Sequence, residues 1–309
     1  MTYSEEVFTF GCGGEALLGI LARPAQPHSV GVVVVVGGPQ YRAGSHRQFV
    51  QLARALAEAG YPVLRFDVRG MGDATGTFAG FEGLSDDIGS AIDELHKRAP
   101  GLERVILWGL CDGASAALLY LDERGGDARV AGLCLANPWV RSPQTQARTQ
   151  LKHYYARRLL DRAFWAKLLR GQVALGAAGE LLRKVGTATR GALEAGAAQT
   201  VAMPFGQRMG RAWHRFDGRI LLLLSGQDYT AKEFLQTLAD DPHWRAADRH
   251  PGLERVDLPQ ADHTFSGRQA TMAVQEQSAS WMVAAESPLG GGALSTRADL
   301  SVEDTHATP

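Results

Sequence analysis

A cysteine between two glycines is the most chemically suggestive residue of the sequence. Residues 109–113 read Gly-Leu-Cys-Asp-Gly and directly follow the apolar run Val-Ile-Leu-Trp at 105–108. In a sharp turn from a strand into a helix, small flanking residues avoid a collision and leave the central side chain in the open. Cys111 is therefore predicted to be a nucleophile, provided that a base and an orienting carboxylate lie within reach.

Both partners are predicted at the ends of later strands. Asp228 follows the apolar run 220–224, and His263 follows a short strand near Val256. His263 would accept the thiol proton, and Asp228 would orient the imidazole ring. The chain order of nucleophile, acid and histidine is the order found in the α/β-hydrolase fold. The sequence therefore predicts a catalytic triad of Cys111, Asp228 and His263.

Each member of this triad has an alternative interpretation. Cys111 can be an ordinary buried cysteine, which packs as a small apolar residue. Asp228 can merely cap the next helix, with Asp240 or Asp241 acting as the acid. Eight other histidines compete with His263, and they fall in polar loops, tails, helices or the basic segment described below. They are His28, His46, His96, His153, His214, His243, His250 and His306.

A tetrahedral oxyanion on the substrate needs two backbone N–H donors. One is expected from Asp112, the residue after the nucleophile, and the other from the loop Gly-Gly-Pro-Gln-Tyr at 37–41. Pro39 has no N–H group, which leaves Gln40 or Gly38, and Gln40 is preferred. The alternative is that the two glycines only allow the chain to turn sharply.

Three aromatic residues are candidates for substrate binding: Tyr41, Trp139 and Trp165. The expected substrate is a small-molecule or lipid-linked acyl compound. No cofactor and no metal are expected, since the glycines of 67–76 lack the lysine of a phosphate loop and no cluster has zinc-ligand spacing. No nucleic-acid partner is expected. The segment 67–73, Asp-Val-Arg-Gly-Met-Gly-Asp, is interpreted as support for the fold.

The alternation of strands and helices predicts an α/β fold, namely an α/β-hydrolase fold with a mostly parallel central sheet and helices on both faces. The predicted core comprises residues 1–140 and 216–285. Residues 141–215 show helical periodicity without strands and are predicted to form a helical cap or lid. Residues 286–309 are rich in glycine and polar residues and are expected to be a disordered tail.

Composition and charge indicate the kind of protein, its expected location and its possible partners. The chain has 309 residues, of which 45% are hydrophobic and 21% charged, and its longest apolar runs are only strand-sized. Three cysteines and no hydrophobic signal region at the start lead us to expect a cytoplasmic location. Residues 141–217 hold 14 Lys and Arg against 4 Asp and Glu. This basic segment is either a solvated face or a surface that associates with a membrane or another polyanion.

With these residues in place, the chain resembles the α/β-hydrolase superfamily over residues 5–285, in the branch with Asp-x-Arg-Gly-x-Gly at 67–72 and a helical cap. More narrowly, residues 37–48 and the Gly-Leu-Cys-Asp-Gly turn resemble the exosortase A system-associated hydrolase type 1 family. This resemblance implies a bacterial hydrolase encoded beside exosortase and exopolysaccharide genes. A cysteine replaces the serine of most relatives, as it does in dienelactone hydrolases.

The expected function is therefore cleavage of an ester or thioester bond through the Cys-His-Asp triad. One alternative is an acyltransferase that uses the same triad, with a sugar hydroxyl or an amine in place of water. Another is a non-catalytic partner of a polysaccharide machinery, which would use the basic segment as its contact surface.

Overall fold

Eight strands form one sheet at the centre of the chain. The computed structural model describes residues 2–38, 40–140 and 203–285. The strands are β1 (Tyr3–Cys12), β2 (Glu15–Pro24), β3 (Val30–Val35), β4 (Val63–Phe66), β5 (Arg104–Leu110), β6 (Val130–Ala136), β7 (Arg219–Ser225) and β8 (Leu253–Leu258). Their spatial order is β1-β2-β4-β3-β5-β6-β7-β8. Strand β2 pairs antiparallel with β1 and β4, and every pair from β4 to β8 is parallel.

Helices cover both faces of this sheet. The described helices are α1 (Gln48–Glu58), α2 (Ser85–Arg98), α3 (Asp112–Arg124), α4 (Phe205–Arg215), α5 (Tyr229–Asp240) and α6 (Arg268–Ala285). Apolar residues of α2, α3, α4 and α5 share one buried cluster, and those of α1 and α6 share the other. Within β3, Val33 and Val35 point into the first cluster, whereas Val32 and Val34 point into the second. A strand that is buried on both faces must be apolar throughout, which explains the unbroken valine run.

This topology confirms the predicted α/β-hydrolase fold. The apolar runs 105–108 and 220–224 fall in β5 and β7, and the short strand expected near Val256 is β8. Most of the predicted cap, residues 141–202, and the predicted tail, residues 286–309, lie outside the described residues. Within the part that is described, no helix is both long and apolar enough to cross a membrane.

The last part of the predicted cap packs with the hydrolase core. Helix α4 belongs to the same compact unit as the sheet. Its Trp213 is fully buried, lies 5.6 Å from the ring of Trp244 and donates a hydrogen bond to the carbonyl of Ala247 at 3.0 Å. Because α4 buries this large side chain against core residues, residues 205–215 form part of the core in this structure.

Two buried aspartates tie the loops at the carboxyl edge of the sheet together. Asp67 accepts hydrogen bonds from the backbone N–H of Arg42 at 2.7 Å and of Asp73 at 2.9 Å, and it also pairs with the Arg42 guanidinium. Asp87 accepts from the backbone N–H of Arg69 at 2.8 Å and from its guanidinium at 2.9 and 2.7 Å. Each carboxylate thus fixes a loop through both main chain and side chain.

The Arg69–Asp87 pair generates a stability prediction. The side chain of Asp87 is 1% exposed, so Arg69→Met would leave a buried carboxylate without its cation. We expect a loss of about 3 kcal/mol in the free energy of unfolding, measured by urea denaturation. Arg124→Met is the matched control, since Arg124 pairs with Asp86, whose side chain is 65% exposed, and should cost under about 1 kcal/mol. Equal losses in the two variants would contradict this account.

Candidate active site

Cys111 occupies a strained turn between β5 and α3. Its backbone has φ 58° and ψ −122°, a conformation that residues with a side chain rarely adopt. The neighbouring glycines are required sterically, because a Cβ at Gly109 would lie 2.5 Å from the nitrogen of Ala114 and one at Gly113 would collide with the carbonyl of Val35. The turn therefore leaves the Cys111 side chain half-exposed at the end of the strand.

Hydrogen bonds hold this turn in its strained form. The carbonyl of Cys111 accepts hydrogen bonds from the N–H groups of Ala114 at 3.1 Å, Ser115 at 3.2 Å and Trp139 at 3.2 Å. The buried hydroxyl of Ser115 donates to the carbonyl of Trp139 at 2.6 Å. Unusual backbone conformations persist only where the surroundings determine them in this way. Trp139, a predicted substrate-binding residue, therefore supports the turn through its main chain.

Asp228 has two partners at the end of β7. As the N-cap of α5, it accepts hydrogen bonds from the backbone N–H of Thr230 at 3.0 Å and of Ala231 at 3.2 Å. The same carboxylate also lies 2.8 Å from Nδ1 of His263. Helix capping and contact with the histidine, which the sequence presented as alternatives, occur together. Burial alone would raise the pKa of Asp228, but the hydrogen bonds and the charge of His263 lower it below its usual value.

His263 lies between Asp228 and Cys111 in the loop that joins β8 to α6. Its Nδ1 faces Asp228, which leaves Nε2 for the side chain of Cys111. Hydrogen bonds to Asp228 and to Cys111 raise the pKa of His263 to about 10, against the opposing effect of burial. The imidazole is therefore largely protonated at neutral pH.

The rival acid and base candidates lie elsewhere. Asp241 contacts His243 at 3.0 Å, and both side chains are substantially exposed. Asp240 is an exposed residue at the end of α5. His250 is buried and bonds through Nε2 to the carbonyl of Phe216 at 2.7 Å. The structure thus brings the three residues of the predicted triad together and keeps these rivals apart from Cys111.

Asn137, which the sequence analysis did not single out, links the loops of the candidate triad. Its buried side-chain amide donates to Ser225 Oγ at 2.8 Å and to the carbonyl of His263 at 2.9 Å, and its Oδ1 accepts from the Ser225 N–H at 2.9 Å. Ser225 Oγ in turn donates to the carbonyl of Asp262 at 2.7 Å. The only available sequence signal was an asparagine directly after a buried strand, a residue type that tolerates its positive φ of 44°.

The remaining candidates lie beside Cys111 in the chain, in the loop after β3, after β6, or outside the described residues. Asp112 is the first residue of α3, and Gly38 has a positive φ of 55°. The side-chain oxygen of Gln40 lies 3.5 Å from the amide of Gln48. Tyr41 is 48% exposed, and Trp139 is half-buried. Pro39 and Trp165 are outside the described residues.

A thiol, an imidazole and a carboxylate in this order can carry out covalent acyl chemistry. The thiol supplies the nucleophile, the imidazole moves protons, and the carboxylate fixes the orientation of the ring. Within the described ranges, no group of three or more His, Cys, Asp and Glu side chains is arranged to hold a metal ion.

Two proteins are similar to parts of the chain. Protein ABHD12B from Homo sapiens is 37% identical over 116 residues, which cover 36% of this chain and 31% of that protein. The uncharacterized protein RP471 from Rickettsia prowazekii (strain Madrid E) is 30% identical over 107 residues, which cover 34% of this chain and 45% of that protein. The chain therefore spans less than half the length of each of these relatives.

Several solved structures share the fold across almost the whole chain. The Pyrococcus furiosus esterase Pf2001 has a TM-score of 0.60 and 15% identity, covering 91% of this chain and 93% of its own. Dienelactone hydrolase from Anabaena variabilis has a TM-score of 0.58 and 15% identity, covering 92% and 99%. XC6422 from Xanthomonas campestris, described as a serine hydrolase without a lid, has a TM-score of 0.54 and 14% identity, covering 91% and 94%. At these identities the likeness shows the fold alone.

A family profile gives the more specific assignment. The profile described as serine aminopeptidase, S33, matches residues 27–185, just over half of the chain. The matched range includes β3 and the Cys111 turn, and it ends before Asp228 and His263. Position 111 is a cysteine in this chain. Given the eight-stranded sheet, the strained turn and this match, the chain belongs to the serine aminopeptidase S33 family of α/β-hydrolases.

Proposed function

We propose that the protein cleaves an ester or thioester bond through Cys111, His263 and Asp228. The observation that carries this proposal is the position of His263. It contacts Asp228 at 2.8 Å on one side and hydrogen-bonds the Cys111 side chain on the other, beside a turn that is strained enough to expose that side chain. Nucleophile, base and orienting acid in this geometry are the requirements for covalent acyl transfer.

The protonation state of His263 defines the first step. Because its pKa is raised to about 10, the histidine is an imidazolium at neutral pH, and it hydrogen-bonds the side chain of Cys111. The thiolate is the nucleophilic form of a cysteine. The Cys111 thiolate attacks the substrate carbonyl and forms a tetrahedral oxyanion. Collapse of this intermediate leaves an acyl thioester on Sγ, while the departing alcohol or thiol takes the proton from His263.

The second step returns the enzyme to its starting form. Neutral His263 accepts a proton from water, and the resulting hydroxide attacks the thioester carbonyl. The tetrahedral intermediate then collapses and releases the carboxylic acid. Sγ of Cys111 is the leaving group and returns to a thiolate beside the imidazolium. Asp228 stays ionised throughout, because its own pKa is lowered, and holds Nδ1 of His263 in the protonated tautomer.

The environments of the three cysteines support Cys111 as the nucleophile. Cys12 and Cys134 are buried, whereas Cys111 is half-exposed. Burial raises the pKa of both Cys12 and Cys134, which keeps them as unreactive thiols. Of the three, Cys111 alone combines access with a histidine partner.

We further propose that this hydrolase serves an exosortase or exopolysaccharide system, with a small-molecule or lipid-linked acyl substrate. The support is the resemblance of residues 37–48 to the exosortase-associated family. Arg42 of that stretch pairs with Asp67 and Asp73, so the resembling residues help to build the loop beside the site. Contact of the basic segment with a membrane is proposed from its charge alone, since residues 141–202 lie outside the described residues.

The proposed nucleophile can be tested with a panel of p-nitrophenyl esters and N-acetylcysteamine thioesters of short and long acyl chains. Cys111→Ala should reduce kcat/KM by several orders of magnitude on every substrate that the wild type cleaves, because the covalent route is lost. Cys134→Ala is the matched control and should leave turnover unchanged, since Cys134 is fully buried and its thiol contacts Ser278. Unchanged turnover in Cys111→Ala would overturn the proposed function.

The role of Asp228 can be tested through the pH profile. Its contact with His263 is the main cause of the raised histidine pKa, and the imidazolium is lost as pH rises through about 10. The high-pH limb of kcat/KM should therefore lie near pH 10 in the wild type and move down toward pH 6.5 in Asp228→Asn. We also expect kcat to fall, on the order of ten-thousandfold, as in the serine-protease precedent.

Asp241→Asn is the matched control for this measurement. It changes another aspartate that contacts a histidine, at the opposite end of α5 and on the surface. Its pH limb and kcat should match those of the wild type. If the high-pH limb of Asp228→Asn stayed near pH 10, a group other than Asp228 would be responsible for the raised pKa of His263.

A further inference from the structure

The carboxylate of Asp112 is folded back onto the turn that carries the nucleophile. It lies beside the backbone N–H groups of Asp112 and Gly113, at the start of α3. It also packs on the loop after β3, where a Cβ at Gly38 would lie 2.8 Å from Oδ2 and one at Gly37 would collide with Oδ1. A side chain at either glycine would therefore collide with this carboxylate.

This position coincides with the predicted oxyanion hole. The first N–H groups of a helix have no intrahelical partner, so those of Asp112 and Gly113 are available to an anion. The N–H of the residue after the nucleophile and an N–H from the loop after β3 are the expected donors to a tetrahedral oxyanion. The Asp112 carboxylate lies between these two segments, where the substrate oxyanion would have to bind.

Stabilisation of the helix does not by itself explain this arrangement. A carboxylate in the first turn of a helix is favourable even when it is exposed, as the side chain of Asp86 at the start of α2 is. The carboxylate of Asp112 is instead half-buried against Gly37 and Gly38, and the loss of hydration raises its pKa above the usual value. The loss of hydration therefore accompanies a contact with Gly37 and Gly38 that an exposed side chain could not make.

We propose that Asp112 is a built-in occupant of the oxyanion hole, whose side chain must rotate away before a substrate carbonyl can react. The inference rests on the proposed function, since an oxyanion hole matters only if Cys111 attacks a carbonyl. A folded-back carboxylate competes with the substrate for the same N–H donors and repels the developing negative charge. Only the fraction of molecules with the side chain turned out is competent, so the apparent efficiency is reduced by that fraction.

The test is an increase in activity on removal of the carboxylate. Asp112→Ala should raise kcat/KM for p-nitrophenyl butyrate by about tenfold or more, because a vacant hole regains donors that are each worth at least that much. The same variant should bind butyraldehyde more tightly, since the hemithioacetal that this aldehyde forms with Cys111 places its oxygen in the hole. Asp112→Asn removes the charge while keeping the shape, and it should show a smaller increase of the same sign.

Controls separate this inference from the proposed function. Asp86→Ala removes a first-turn carboxylate from another helix and should leave kcat/KM unchanged. The gain of Asp112→Ala should vanish in the double variant Cys111→Ala/Asp112→Ala. If Cys111→Ala is inactive but both folded Asp112 variants are unchanged or slower than wild type, the occupant role is overturned and the proposed function stands. If Cys111→Ala retains full activity, the proposed function itself fails.

Discussion

The strained turn at Cys111 is the constraint on which the rest of the site depends. It exists because Gly109 and Gly113 let β5, α3 and the end of β3 approach more closely than any side chain would allow. Its strain is offset by hydrogen bonds from three N–H groups to the Cys111 carbonyl. The turn places the thiol at the carboxyl edge of a parallel sheet, where loops from several strands meet.

The carboxyl edge of the sheet also brings Asp228 and His263 close to Cys111, although the three residues are far apart in the sequence. Asp228 follows β7 and His263 follows β8, and β7 and β8 are adjacent parallel strands. Asn137, after β6, bonds to Ser225 and to the main chain of His263, so three consecutive loops are tied by one buried amide. Because the imidazole is held on both sides, its charge is set by its neighbours more than by solvent, and its pKa rises to about 10.

Sequence patterns were sufficient for the fold, because strands that are buried on both faces read as continuous apolar runs and their ends can be located within a residue or two. They also indicated Cys111, which directly follows β5, and Asp228, which lies three residues after β7. The signal for His263 was weaker, because β8 is a partly exposed strand that ends five residues before it. The Asn137 network joins residues 88 and 126 positions apart, and no local pattern encodes such contacts. The rotamer of Asp112 also could not be predicted from the sequence, since it depends on the space left by Gly37 and Gly38 in another loop.

Trapping the acyl group tests the central claim most directly. Excess enzyme is mixed with its best ester or thioester, quenched in acid at successive times, digested and mapped by mass spectrometry. The account predicts a transient acyl group on the peptide that contains Cys111, removed by neutral hydroxylamine as a thioester is, and absent when His263 is replaced by alanine. Consumption of the substrate at the wild-type rate with Cys111 unmodified at every time point would contradict it.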